Sequence, residues 1–104
     1  MPVRRYTPTH STEYAELVDR LTEEWEHPNV AAVEPVILEE PDGQGVVRHV
    51  YVVWSDWSAL PREARGEVIM DAAGRIKPVA DVLNITIAMG LTPDEADRFA
   101  LKWR

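Results

Sequence analysis

The stretch Val46-Val47-Arg48-His49-Val50-Tyr51-Val52-Val53-Trp54-Ser55-Asp56-Trp57-Ser58-Ala59-Leu60-Pro61 decides how the rest of the chain is read. From Val46 to Trp54 nearly every position is β-branched or aromatic, the composition of a strand. Side chains of a strand alternate between its faces, so Val46, Arg48, Val50, Val52 and Trp54 share one face and Val47, His49, Tyr51 and Val53 the other. Both faces are apolar toward Trp54, which predicts a strand covered on two sides at that end. Trp57 to Pro61 breaks the strand, and Pro61 suits the first position of a helix, where its missing N–H costs nothing.

Toward the N-terminus, Pro41-Asp42-Gly43-Gln44-Gly45 is a turn cluster joining this strand to a Val- and Ile-rich one over Ala32 to Glu40. Pro35 places that strand at an edge, or marks its opening. Further back, Tyr14, Leu17, Val18, Leu21 and Trp25 form one stripe of an amphipathic helix over Ser11 to Glu26. Ser11 or Thr12 caps it and Pro28 ends it. Its outer face, with Glu16, Asp19, Glu23, Glu24 and Glu26, reads as a solvated acidic surface. Residues 1–10 hold two prolines and no periodicity and read as an arm, leaving residues 11–104 as a single domain.

Toward the C-terminus, Ala64, Val68, Ile69 and Ala72 make the apolar stripe of a second long helix, with Gly74 near its end. Pro78 forbids an uninterrupted helix to Val82 and demands a kink or a separate short turn. Leu83 to Met89 alternates apolar and polar residues and predicts the last strand. Leu91-Thr92-Pro93-Asp94-Glu95-Ala96 then starts a helix: Thr92 caps, Pro93 takes the first position, Glu95 completes a capping box, and apolar residues continue to Trp103. The order helix, strand, strand, helix, strand, helix predicts an α+β domain with a three-stranded sheet and helices on one face.

A chain of 104 residues holds one core and little else. It contains no cysteine, which removes thiolate metal sites, cysteine-ligated iron–sulfur clusters and thiol nucleophiles. Eighteen acidic residues against eleven basic ones give a formal charge of -7, which opposes a role resting on phosphate neutralisation. No apolar run is long enough to span a bilayer and no leader-like segment follows Arg4 and Arg5, so a cytoplasmic location with no membrane contact is expected.

His10, His27 and His49 form no metal-ligand spacing, and no phosphate loop, nucleophile elbow or calcium loop is present. His49 lies inside a strand and would serve an enzyme only beside a carboxylate within a pocket; otherwise it caps a solvent face. Arg62 and Arg65 sit near a helix N-terminus, where a cation is mildly disfavoured, and so mark a contact with an anion or an acidic partner, unless Glu63 compensates locally. Trp54 and Trp57 bracket Ser55-Asp56 at the strand-to-helix junction, and one of them is expected at the surface as an interface anchor.

The valine-rich run Val50 to Val53 leading to Trp54-Ser55-Asp56-Trp57 resembles the BolA family, in which such a strand leads to Ser-Asp-x-Phe. Eight residues past Trp57, Arg65-Gly66-Glu67 stands where that family has Arg-His-Arg, and Asn84-Ile85-Thr86 stands where its last strand opens with His-Ala-Leu. Thr92-Pro93-Asp94-Glu95 matches its Thr-x-x-Glu cap. The resemblance implies a small α/β fold related to class II KH domains. It also implies association with monothiol glutaredoxins through a shared [2Fe–2S] cluster held by that histidine and a His or Cys in the hairpin loop. Here the loop Pro41 to Gly45 has neither and Asn84 replaces the histidine, so no cofactor is expected.

These readings converge on a small non-enzymatic protein-interaction or regulatory domain, with a protein partner and a possible homodimer, contacting through Trp54, Trp57, Arg62 and Arg65. His49 and Asn84 are the candidate polar site. A small enzyme or ligand-binding protein using His49 with an acidic neighbour is the alternative. Nucleic-acid binding is a third reading, disfavoured by charge, which needs the basic residues gathered on one face.

Overall fold

The computed structural model describes residues 11–104, so the arm expected over residues 1–10 lies outside the described residues. The chain runs α1 (Thr12–Glu26), β1 (Val36–Pro41), β2 (Val47–Val53), a 3-10 turn (Ser55–Ala59), α2 (Arg62–Ile76), α3 (Val79–Asn84), β3 (Ile87–Leu91) and α4 (Pro93–Arg98). It is an α+β domain, with the strands in the order β1-β2-β3. β1 and β2 are antiparallel, with Val36 opposite Val53 and Glu40 opposite His49. β2 and β3 are parallel, with His49 opposite Ile87 and Val53 opposite Leu91.

Local chemistry sets these elements as the sequence predicts. The Ser11 hydroxyl accepts the Tyr14 N–H at 3.1 Å, and Tyr14, Leu17, Val18 and Leu21 are the buried stripe of α1. In the hairpin turn the Asp42 carboxylate accepts the backbone N–H groups of Gln44 and Val46 and meets Arg48, while Gly45 takes φ 81°, which a side chain would strain. The hydrogen bonds from the Gln44 and Val46 N–H groups, with Arg48 adding to them, hold the Asp42 carboxyl below its usual range.

The main core lies between one face of the sheet and the pair α1 and α2: Val50 and Val52 meet Leu17, Leu21, Val68, Ile69 and Ala72. A second cluster joins Val53 and Leu91 to Ala96 of α4, flanked by Val36, Met89, Leu101 and Trp103. Since Val53 alternates with Val52, this cluster lies on the opposite face. The Val53 end of β2 is thus covered on both sides, as its composition predicts. The expectation of helices on one face holds for α1 and α2 and is corrected for α4.

Three boundaries differ from the sequence pattern. The first strand opens at Val36 rather than Ala32, just past a cis Glu34–Pro35 bond. The last strand opens at Ile87 rather than Leu83, because Pro78 restarts a helical turn in which its carbonyl accepts the N–H groups of Asp81 and Val82. Leu83, read as strand core, is 77% exposed on α3. Finally, α4 stops at Arg98 instead of running to Trp103. Ala100 adopts φ 56°, and the N–H groups of Leu101 and Ala100 bond to the Ala96 and Asp97 carbonyls, a Schellman closure built without glycine.

Candidate functional site

The strand-to-helix junction was the surface the sequence singled out, and its tryptophans turn out to be core. Trp54 is 2% and Trp57 0% exposed, and their rings meet edge to face at 5.2 Å. The Trp57 indole N–H donates to the Val52 carbonyl at 2.9 Å. The reason is the opposite wall: a Cβ added to Gly90 would stand 2.7 Å from Trp57 Cε2, so β3 leaves a bare backbone for the indole to lie against. A glycine that follows three apolar residues of a strand was the available signal for this burial.

Arg62 and Arg65 meet a carboxylate of the same chain, Glu95, rather than the neighbouring Glu63. Arg62 contacts Glu95 Oε2 at 2.9 Å through Nε and 2.5 Å through Nη2, and Arg65 Nη1 contacts Glu95 Oε1 at 2.7 Å. The Glu95 carboxylate also accepts the Thr92 backbone N–H at 2.9 Å, completing the capping box. Those donors, the Thr92 N–H foremost, pull its pKa down to about 2 against the opposing effect of burial. Arg65 is buried, with a longer contact to the Gly90 carbonyl at 3.4 Å and its Nε lacking a partner. The pair therefore clamps α2 to the start of α4, and of Trp54, Trp57, Arg62 and Arg65 it is Arg62 that stays exposed.

Among the described residues, the outer face of the sheet is only partly covered. The register aligns three cross-strand rows there: Val36–Val53–Leu91, Leu38–Tyr51–Met89 and Glu40–His49–Ile87. Among the described residues, α4 and the tail cover the first row, with Met89 at the margin of that cluster. Leu38 and Tyr51 are half-buried, and Ile87 is 39% exposed. His49 stands on this face, edge-on to Tyr51 at 6.3 Å, with Nδ1 2.8 Å from Glu40 Oε1. An acid is within reach of His49, but the pair lies on an open strand surface rather than in a cleft.

Asn84 lies elsewhere, at the end of α3. It lines a groove of about 220 Å³ with Gly45 and Val46 of the hairpin and with Lys77 and Asp81. The fold thus brings the hairpin end to Asn84, but the side chains there are an amide, a carboxylate and an ammonium. Such a donor set does not fit an iron–sulfur cluster, which takes thiolate or imidazole. Among the described residues no group of three or more His, Cys, Asp or Glu is placed to hold a metal ion.

Cations are likewise dispersed. Arg20 pairs with Asp56, Arg48 with Asp42, Arg75 with Asp19, Lys77 with Glu39 and Arg104 with Asp97, besides the two arginines on Glu95. No helix among the described residues is long and apolar enough to cross a membrane. Compared with protein-family models, curated proteins and solved structures, the chain has no match.

Proposed function

We propose that this protein is a small, non-enzymatic protein-interaction domain of BolA-like, class II KH-related architecture, contacting a partner chain through the uncovered rows of its outer sheet face. One observation carries the reading: Leu38, Tyr51 and Ile87, with Met89 at the margin of the α4 cluster, form a contiguous apolar strip that no helix among the described residues fully covers. A sheet face left to solvent normally alternates to polar residues, so an apolar one marks a contact surface. On a chain of charge -7 the strip is also nearly neutral, holding only the Glu40–His49 pair, and a second acidic chain meets least repulsion there. The element order α1-β1-β2-α2-α3-β3-α4, with a parallel β2–β3 pair, supports the BolA-like architecture, and the lack of its cluster ligands at Asn84 and in the hairpin supports a role in protein contact without a cofactor. The dispersal of the cations into ion pairs weighs against nucleic acid as the partner, and the exposed setting of His49 weighs against an enzyme.

Photo-crosslinking in the native cell tests this, with p-benzoylphenylalanine replacing Tyr51 in one variant and Glu16, on the outer face of α1, in another. A discrete adduct is expected from position 51 and not from position 16, and an adduct of twice the chain mass would identify the partner as a second copy. Absence of adducts from position 51, or the same smear from both, refutes the assignment of the face.

A further inference from the structure

On the opposite side of the sheet, α2 runs beside β3 and an open groove of about 630 Å³ lies between them, lined also by Tyr14 of α1. Met70, Ile85 and Ala88 supply its apolar lining, and Glu63, Glu67 and Asp71 stand along its helical wall. Asp71 accepts a hydrogen bond from the Tyr14 hydroxyl, and burial together with that carboxylate raises the hydroxyl above its ordinary range. Glu63 and Glu67 are exposed and, among the described residues, neither is paired with a cation. No described strand pairs with the far side of β3, where α2 comes close at Gly66, whose added Cβ would stand 3.0 Å from the Ala88 carbonyl oxygen.

The spacing of these groups specifies what would fit. Carboxylates four residues apart on a helix are about 6 Å apart along its axis. Alternate residues of an extended chain are about 6.7 Å apart. An extended segment lying along the groove can therefore present cations at every second position to Glu63 and Glu67. Its side chains at intervening positions would turn toward the apolar lining. Phosphate backbones are repelled by the same wall.

We propose that the groove between α2 and β3 is a docking site for an extended basic segment of a protein partner, with Lys or Arg at alternate positions. This site is separate from the outer sheet face and does not depend on it.

Fluorescence anisotropy of the full chain tests the proposal with a fluorescein-labelled ten-residue peptide alternating arginine and valine. Block-sequence peptide of the same composition and an alternating glutamate–valine peptide serve as controls. Saturable binding of the alternating basic peptide is expected, with at least tenfold weaker binding of both controls. The double variant Glu63→Gln/Glu67→Gln should weaken binding at least tenfold, while Glu23→Gln/Glu26→Gln, which removes the same charge from α1, and Tyr51→Arg, on the outer face, should leave it within twofold. Equal loss in the two glutamate pairs would reduce the effect to net charge and overturn the proposal. So would no binding, block-sequence peptide binding as well as the alternating one, or a groove variant that changes self-association instead of peptide binding. Failure of the outer-face assignment leaves each of these outcomes readable, because Tyr51 takes no part in them.

Discussion

Trp57→Ala is expected to lower the stability of the folded domain by about 3–5 kcal/mol, the cost of emptying a buried aromatic site. Three consequences of the substitution act together. The indole is fully buried against Trp54, its N–H satisfies the Val52 carbonyl inside the sheet, and it fills the space that Gly90 leaves open. Alanine leaves a cavity and an unpaired carbonyl, and the neighbouring strand cannot collapse onto the gap without breaking its register with β2. Domains of this size have about 5–15 kcal/mol in total, so the variant should sit near its folding limit. Chemical denaturation followed by far-UV circular dichroism checks this. A midpoint unchanged from wild type would mean that the indole is not in the core. The same burial disqualifies Trp57→Ala as a probe of partner binding, since lost binding would report lost folding.

The second large effect is electrostatic. Glu95→Gln is expected to cost on the order of 2–3 kcal/mol near neutral pH. That is less than the ~3–5 kcal/mol of breaking a fully buried pair, because the Arg62 arm is open to solvent. Arg65 is the reason the cost is large at all: its guanidinium is buried and would lose its carboxylate. The pH dependence follows from the direction of the Glu95 shift. Its folded-state pKa is about 2, against 4.5 for the unperturbed group. Its contribution is therefore fully present above pH 4.5 and is lost as pH falls toward 2. The stability gap between wild type and Glu95→Gln should be widest near neutrality and close steadily over that window, as read from urea midpoints at several pH values. A gap that stays constant with pH would show that the carboxylate is not held by these donors.

Much of the fold is legible in the sequence because its signals are local. Ser11, Asp42, Gly45 and Thr92 cap helices or turn the chain through hydrogen bonds within a few residues, and each sits where its chemistry predicts. The strand pattern fails at Leu83 because alternation over Leu83 to Thr86 is equally consistent with the end of a short helix, and only the tertiary exposure of Leu83 distinguishes them. The tail is misread because a Schellman closure normally announces itself by glycine, and here Ala100 takes the left-handed position.

The candidate site is less legible, since it depends on contacts distant in sequence. Arg62 and Arg65 read as contacts with an acidic partner or as compensated by Glu63, and the carboxylate they meet is instead Glu95 of the same chain, thirty or more positions away in a capping box that looks locally self-sufficient. Trp54 and Trp57 show the limit of reasoning from composition: two large aromatics at a junction imply one outside only if the opposite wall is solid, and Gly90 removes it. The open rows of the outer face become visible only once the β2–β3 register is known, because Leu38, Tyr51 and Ile87 belong to three different strands.

The parallel pairing of β2 and β3 has a kinetic consequence. The β1–β2 hairpin closes through a short turn, whereas β3 reaches β2 only after the connection through α2 and α3 has been ordered, and closing so long a loop is slow relative to a turn. The α1–α2 layer and the hairpin are thus expected to form the folding nucleus, with β3 and α4 docking after the barrier. Substitutions on β3 such as Gly90→Ala should then act mainly on the unfolding limb of a chevron plot, while Val50→Ala on β2 slows folding. A Gly90→Ala variant that slowed folding as much as Val50→Ala would place β3 inside the nucleus instead. If docking is late, β3 and α4 are the last elements to settle and Glu95 reaches Arg65 only then, so the clamp between α2 and α4 governs the lifetime of the native state more than the speed of reaching it.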